Sequence, residues 1–176
     1  MRTVFRVPVF AVAAALSALP AGAQHAAPAS LSPDETHGLI AGQGMGLARA
    51  AEVQAYPGPK HVLELADSLA ITDAQREAAE ALMAGVQVEA RALGRRVVEA
   101  ERQLSALFGE AAPDDGALEA AAHEVGRLRA ELRLVHLRAH VAMREALTAE
   151  QSARYHAIRH GAGGPSHGEG PHGAHH

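Results

Sequence analysis

Residues 113–151 read PDDGALEAAAHEVGRLRAELRLVHLRAHVAMREALTAEQ. The apolar positions Leu118, Ala121, Val125, Leu128, Leu132, Val135, Ala139, Ala142 and Ala146 advance in strictly alternating steps of three and four. That spacing draws one stripe down an α-helix and suits packing against a second helix. Pro113 with Asp114 and Asp115 starts this helix, and Thr148, followed three residues later by Gln151, starts another. A threonine hydroxyl at the N-cap accepts from the backbone N–H three residues on, and a glutamine there reaches back to the cap's own N–H.

Working toward the N-terminus, the same signature recurs. Thr72 with Asp73 and Gln75 caps a long helix whose stripe is Leu82, Val86, Leu93, Val97, Ala100, Leu104 and Leu107, with Ala90 filling the omitted step, ending near Gly109. Two long helices joined by a short loop form an antiparallel hairpin. Upstream, Pro57-Gly58-Pro59 breaks the chain before a helix expected over roughly Lys60 to Ala70. Ser32-Pro33-Asp34-Glu35 is a capping box opening a short helix to about Ala41, after which Gly42, Gly44 and Gly46 loosen the chain. Downstream, the helix from Thr148 runs to about His160. The expected organisation is a leader over 1–23, a flexible N-terminal segment with short helices over 24–56, a helical-hairpin domain over 57–160, and a disordered histidine-rich tail over 161–176.

The leader reads as a cleaved secretory signal: Arg2 and Arg6, an apolar run from Val7 to Leu19, then Pro20 and Ala21-Gly22-Ala23. That run is too short to span a bilayer, which takes roughly 20 apolar residues. Cleavage near Ala23 sends the chain to the periplasm. Two of the 16 Lys and Arg and none of the 20 Asp and Glu precede that point, so the chain beyond it carries a net charge of −6, which gives no electrostatic case for nucleic acid. The chain has no cysteine, excluding disulfides, thiolate metal sites and cysteine nucleophiles. Beyond the leader the aromatics are Tyr56, Phe108 and Tyr155 alone. The two stripes are thin and rich in alanine, a single hairpin of this kind is marginal, and a homodimer of two hairpins is the expected remedy.

Two segments carry a family resemblance. Ile71-Thr72-Asp73-Ala74-Gln75 and Leu147-Thr148-Ala149-Glu150-Gln151 each resemble the LTxxQ motif of the Spy/CpxP family, the first with Ile in place of Leu. Together with the leader and the four-helix layout, the resemblance covers roughly Pro57 to Arg159. Gly44-Met45-Gly46-Leu47 and Tyr56-Pro57-Gly58-Pro59 are similar to one branch of these proteins. The resemblance implies curved helical hairpins that dimerise into a shallow cradle. Its members divide among ATP-independent chaperones that hold unfolded periplasmic clients, repressors of an envelope-stress sensor kinase, and proteins that bind or sense zinc, nickel, cobalt or copper. The expected function is a periplasmic envelope-stress protein, a holdase with divalent-metal binding. The alternatives are a heavy-metal sensor signalling to a membrane-bound regulator and a metal buffer acting through its tail.

A holdase needs exposed apolar side chains mixed with charge. Leu134, Leu137 and Met83 with Arg91, Arg95, Arg96, Arg127, Arg129, Arg133 and Arg138 supply that mixture, or else they are the second buried face of a dimer and an ordinary solvated face. The chain is net acidic, whereas the chaperone members have basic concave surfaces.

The metal reading rests on His136, His140 and Met143, spaced by four and three along one stripe of the return helix. Two imidazoles one turn apart chelate zinc, nickel or copper, and a thioether adds preference for copper(I). Glu89 or Glu99 from the opposing helix is the candidate to complete the site. The same pair also reads as two histidines hydrogen-bonded at a helix interface. Metal-sensing members add an N-terminal histidine pair; His25 and His37 are too far apart to form one. In the tail, His156 and His160 are one turn apart and His167, His172, His175 and His176 follow, a loose set with modest affinity expected. No cofactor is required by any of these readings. Nor is catalysis expected: there is no nucleophile elbow or phosphate loop, and His123-Glu124 lacks the second histidine of a zinc-protease motif.

Overall fold

The computed structural model describes residue 28, residues 30–109 and residues 112–161. The leader and the tail histidines His167, His172, His175 and His176 lie outside the described residues, as does the side chain of His160. The described chain is all helix, in the order α1 (Pro33–Ala41), α2 (Arg49–Glu52), α3 (Pro59–Glu64), α4 (Ala66–Leu69), α5 (Asp73–Ala106), α6 (Asp115–Ala146) and α7 (Ala149–His160). The two long helices, α5 with 34 residues and α6 with 32, pack against each other as a hairpin. Among the described residues no helix is long and apolar enough to cross a membrane.

The three capping boxes form as their sequences dictate, at Ser32 with Glu35, Thr72 with Gln75 and Thr148 with Gln151, and Asp114 caps α6 through the backbone N–H of Ala117. The first turn of a helix leaves donors without intrahelical partners, and a side chain three residues away satisfies them whatever the rest of the chain does. The second and third boxes also meet each other. Gln75 Nε2 donates to Gln151 Oε1 at 2.8 Å, and Gln151 Nε2 donates back to Gln75 Oε1 at 2.9 Å. Gln75 reaches the Ala146 carbonyl at the end of α6, and Gln151 reaches the Ala70 carbonyl before α5. One amide pair therefore joins the starts of α5 and α7 and supplies donors to carbonyls at two chain reversals.

Helix ends depart from the sequence expectation where tertiary contacts intervene. In place of one helix over Lys60–Ala70, α3 and α4 meet at Leu65. The break brings Leu63 and Leu65 against the same cluster that buries Val62 and Leu69. The last turn of α5 tightens, with Leu107, Phe108 and Gly109 each donating to the carbonyl three residues back, the pattern of a 3₁₀ ending.

The segment expected to be flexible, 24–56, has its described part seated on the hairpin. Leu31 and Leu39 are buried with Ala90, Val97, Val98, Ala100, Val125, Leu128 and Leu132 in a first core cluster. A second cluster at the open end of the hairpin joins Val62, Leu69, Ala79, Met143, Leu147 and Tyr155. The seating of α1 depends on Gly94, because a Cβ there would lie 1.9 Å from the carbonyl oxygen of Leu39. α5 side chains then serve the C-terminal end of α1: Arg91 donates to the Ala41 carbonyl and Gln87 to that of Gly42. Upstream, Ser30 Oγ donates to buried Glu101, which also holds Arg129 at 2.7 Å.

This cover shifts the buried stripe of α6. Val125, Leu128, Leu132 and Ala139 of the expected stripe are buried, but beyond Leu132 burial passes to His136, His140 and Met143, leaving Val135, Ala142 and Ala146 partly exposed.

Candidate functional site

A cavity of about 430 Å³ lies between the two core clusters. The chain from Gly42 to His61 forms one wall, with Met83, Val86 and Gln87 of α5 and His136, Ala139 and His140 of α6 opposite. A glycine, Gly58, lets the cover approach His140. A Cβ on Gly58 would lie 2.8 Å from His140 Nε2, and one on Gly44 would lie 3.8 Å from His136 Nδ1. Gly42, in the left-handed conformation at φ 69°, both ends α1 and turns the chain toward the cavity.

His140 Nδ1 is 2.8 Å from the Tyr56 carbonyl oxygen. A carbonyl only accepts, so Nδ1 carries the hydrogen, and Nε2 of the neutral ring keeps its lone pair. A backbone carbonyl that fixes the tautomer of a histidine in this way is the usual outer partner of a metal-binding imidazole. His136 is 8% exposed, and its Nε2 is buried with no hydrogen-bond partner among the described residues. Burial, with His140 alongside, holds the His136 ring below its ordinary pKa. A third histidine, His61 of α3, lines the same cavity and is also held low, first by burial and then by Arg159, against smaller opposing pulls from Glu64 and Glu52. Two of the three rings are thus biased toward the neutral, ligating form.

The sequence-predicted residues divide. His136 and His140 come together at the cavity. Met143 does not line it: it is fully buried in the second core cluster, and Met45 and Met83 are the methionines of the cavity wall. Glu89 and Glu99 are exposed and outside the lining, with Glu99 bound to Arg102 and Gln103. His156 sits on an exposed face of α7, apart from the cavity lining. His61 and Glu52 were missed because their signal is a fold contact, 75 residues or more along the chain from His136. Among the described residues no three His, Asp or Glu side chains stand close enough to form a ready-made metal cluster. The donors present, two imidazoles one turn apart on a helix, fit a borderline divalent ion.

The paired glutamines described above are those of the two recurrent motifs, and residues 59–159 match the model of the LTXXQ motif family, whose motif is that of Spy/CpxP-type proteins. The chain belongs to the LTXXQ motif family. No curated protein and no solved structure matches it. In this LTXXQ protein the motif residues build the open end of the hairpin, and the helix that Thr148 caps carries Tyr155 about two turns on.

Several arginines of the LTXXQ hairpin are engaged by carboxylates. Arg96 faces Glu124 and Glu131, Arg127 binds the same two carboxylates, and Arg129 binds Glu101. Leu134 and Met83 are exposed and Leu137 is partly so; Val88, Val141 and Phe108 add exposed apolar surface.

The low-held histidines set a pH dependence for the metal-free protein. His61 and His136 titrate lower when folded than when unfolded, so the unfolded chain binds more protons through the intervening range. Their neutral-form stability is complete above an unfolded pKa of about 6.5 and declines as pH falls from there through the folded values. The ionisable groups facing them are His140 on α6, Glu52 on α2, Glu64 on α3 and Arg159 on α7. The urea midpoint is expected to fall between pH 7.5 and 5.5, with a shallower fall in His136→Leu. An unchanged midpoint in the parent chain would contradict the burial of these rings.

Proposed function

We propose that this LTXXQ protein is an exported Spy/CpxP-type envelope protein that binds a divalent transition-metal ion through His136 and His140 and responds to it in envelope stress. The observation that carries this reading is the pair of buried histidines one turn apart on the wall of a cavity, one with Nδ1 bound to the Tyr56 carbonyl and the other with a buried ring nitrogen lacking a partner among the described residues. Desolvating the His136 ring nitrogen without a partner among the described residues is unfavourable, and a bound zinc, nickel or copper(II) ion would offset that cost. The reading assigns residues 1–23 to an export signal and makes a second copy of the chain its structural partner. It makes the protein a binder, with occupancy passed to a membrane-bound regulator.

The decisive experiment is calorimetric titration of zinc, nickel and copper into full-length protein at neutral pH, in a background with His167, His172, His175 and His176 changed to serine. Tight one-to-one binding is expected to survive loss of the tail histidines and to vanish in His136→Ala/His140→Ala. Binding that leaves with the tail histidines would favour a metal buffer.

A holdase is the second reading, favoured by exposed Val88, Leu134, Val141 and Phe108 on a surface also rich in paired charges. It predicts suppression of client aggregation at equal strength with and without metal.

A further inference from the structure

We propose that Met45 is a site of reversible oxidation to methionine sulfoxide by a peroxide or a hypohalous acid, and that this modification loosens the end of α1 and the cover that follows it. This stands apart from the metal reading above.

The chain has no cysteine and no tryptophan, so its thioethers are the side chains that a mild two-electron oxidant attacks first. Beyond Met1 the methionines are Met45, Met83 and Met143, and the fold treats each differently. Met143 is fully buried in the second core cluster. Met45 is 46% exposed and Met83 37% exposed, one on the cover and the other on α5, and both line the cavity. Met83 stands within a long helix whose backbone is held by its own ladder of hydrogen bonds. The thioether of Met45 instead helps to close α1.

α1 ends with Gly42 in the left-handed conformation. The N–H of Gly42 donates to the Leu39 carbonyl at 3.1 Å, and that of Gln43 to the Gly38 carbonyl at 2.9 Å, the paired bonds of a Schellman ending. Met45 folds back onto this ending. Gly38 has no side chain to fill the space, and a Cβ there would overlap Met45 Sδ and lie 3.2 Å from its Cγ. Met45 itself is held at φ 41°, in the left-handed region that a residue with a Cβ enters at a cost. Packing of its thioether on Gly38 offsets that cost. From here the cover runs on to Tyr56, whose carbonyl meets His140.

In the oxidation a sulfur lone pair attacks an oxygen of the peroxide. An S–O bond forms, the O–O bond breaks, sulfur gives up two electrons, and hydrogen peroxide leaves as water. Hypochlorous acid yields the same sulfoxide with chloride and a proton. A dithiol reductase returns the two electrons, the oxygen leaves as water, and the dithiol becomes a disulfide. The new S–O group is polar and can only accept hydrogen bonds. Against Gly38 it would face helix backbone whose amide hydrogens, beyond the first turn, are already taken. The sulfoxide is therefore better solvated away from α1 than on it, and Met45 loses the contact that holds its backbone. The fold would thus respond to an oxidant without a thiol.

The test uses the full-length chain in EDTA, with hydrogen peroxide as the oxidant, read by peptide mass spectrometry and amide exchange. Met45 is expected to oxidise roughly tenfold or more faster than Met143. The Gly42 and Gln43 amides of the oxidised protein are expected to exchange about threefold faster than in the parent, and methionine sulfoxide reductases with a dithiol to restore the parent's rates. Met45→Leu keeps an apolar seat and should leave those amides unmoved by peroxide. Met45→Gln, polar and of similar length, should speed them with no oxidant present. If Met45 oxidises no faster than Met143, or is converted while the Gly42 and Gln43 amides keep the parent's rates, the assignment is overturned. The same acceleration in peroxide-treated Met45→Leu would move the effect to Met83 and overturn it equally.

Discussion

Gly94→Ala is expected to destabilise the protein by about 2 kcal/mol, within the range for overpacking a tight interior. The sign is the informative part. In a helix interior this substitution ordinarily stabilises by about 0.5–1 kcal/mol, since alanine has the smaller conformational entropy to lose. At Gly94 the added methyl would sit 1.9 Å from the carbonyl oxygen and 2.6 Å from the carbonyl carbon of Leu39. Both are backbone atoms of α1, so no side-chain rotation relieves the clash. Either α1 lifts off α5, exposing Leu39 and Leu31 of the first core cluster, or α5 itself bends. Gly85 on α5 and Gly126 on α6 are the controls, because a Cβ at either meets nothing within 4 Å. Gly85→Ala and Gly126→Ala are expected to raise the urea midpoint while Gly94→Ala lowers it. A midpoint for Gly94→Ala that rises with the controls would show that α1 does not seat on α5 as described. Because the cover begins at the end of α1, Gly94→Ala should also weaken zinc binding without touching a ligand.

Tyr155→Ala is expected to cost more, about 3–5 kcal/mol, the range for removing a large aromatic side chain from a core. Tyr155 is 2% exposed and packs with Val62, Leu69, Ala79, Met143 and Leu147. Burial raises its phenol pKa, as expected where a charged phenolate would be desolvated. Tyr155→Phe keeps the ring and should cost about 1 kcal/mol or less, since the hydroxyl contact to His61 is long at 3.5 Å. The pair therefore separates packing from polar contact. Urea unfolding followed by circular dichroism reads both, and amide exchange across α7 should accelerate in Tyr155→Ala first. A cost under 1 kcal/mol for Tyr155→Ala would mean that α7 contributes little to the second core cluster.

Helix starts, the two long helices and the family were all legible in the sequence, because each rests on contacts within a few residues or on a periodic stripe. Ser32 with Glu35, Thr72 with Gln75 and Thr148 with Gln151 close their own capping boxes. The stripe from Val125 to Leu132 faces the core as its period requires. The candidate site was legible only in half: one turn of α6 holds His136 and His140 together in any fold that keeps the helix.

The tertiary structure decided which face of α6 is covered and by what. The Gly42–His61 cover approaches His140 through Gly58, and α1 upstream of it sits on α5 through Gly94. It thereby moved Met143 into a core, left Glu89 and Glu99 in solvent, and added His61. A missing side chain has no periodicity to read, and contacts between residues 58 and 140 have no local signature. The sequence by itself determined the helices and the family. Where the cavity lies, and which donors face it, was settled by long-range packing, because burial depends on the surface that covers a residue and not on its neighbours along the chain.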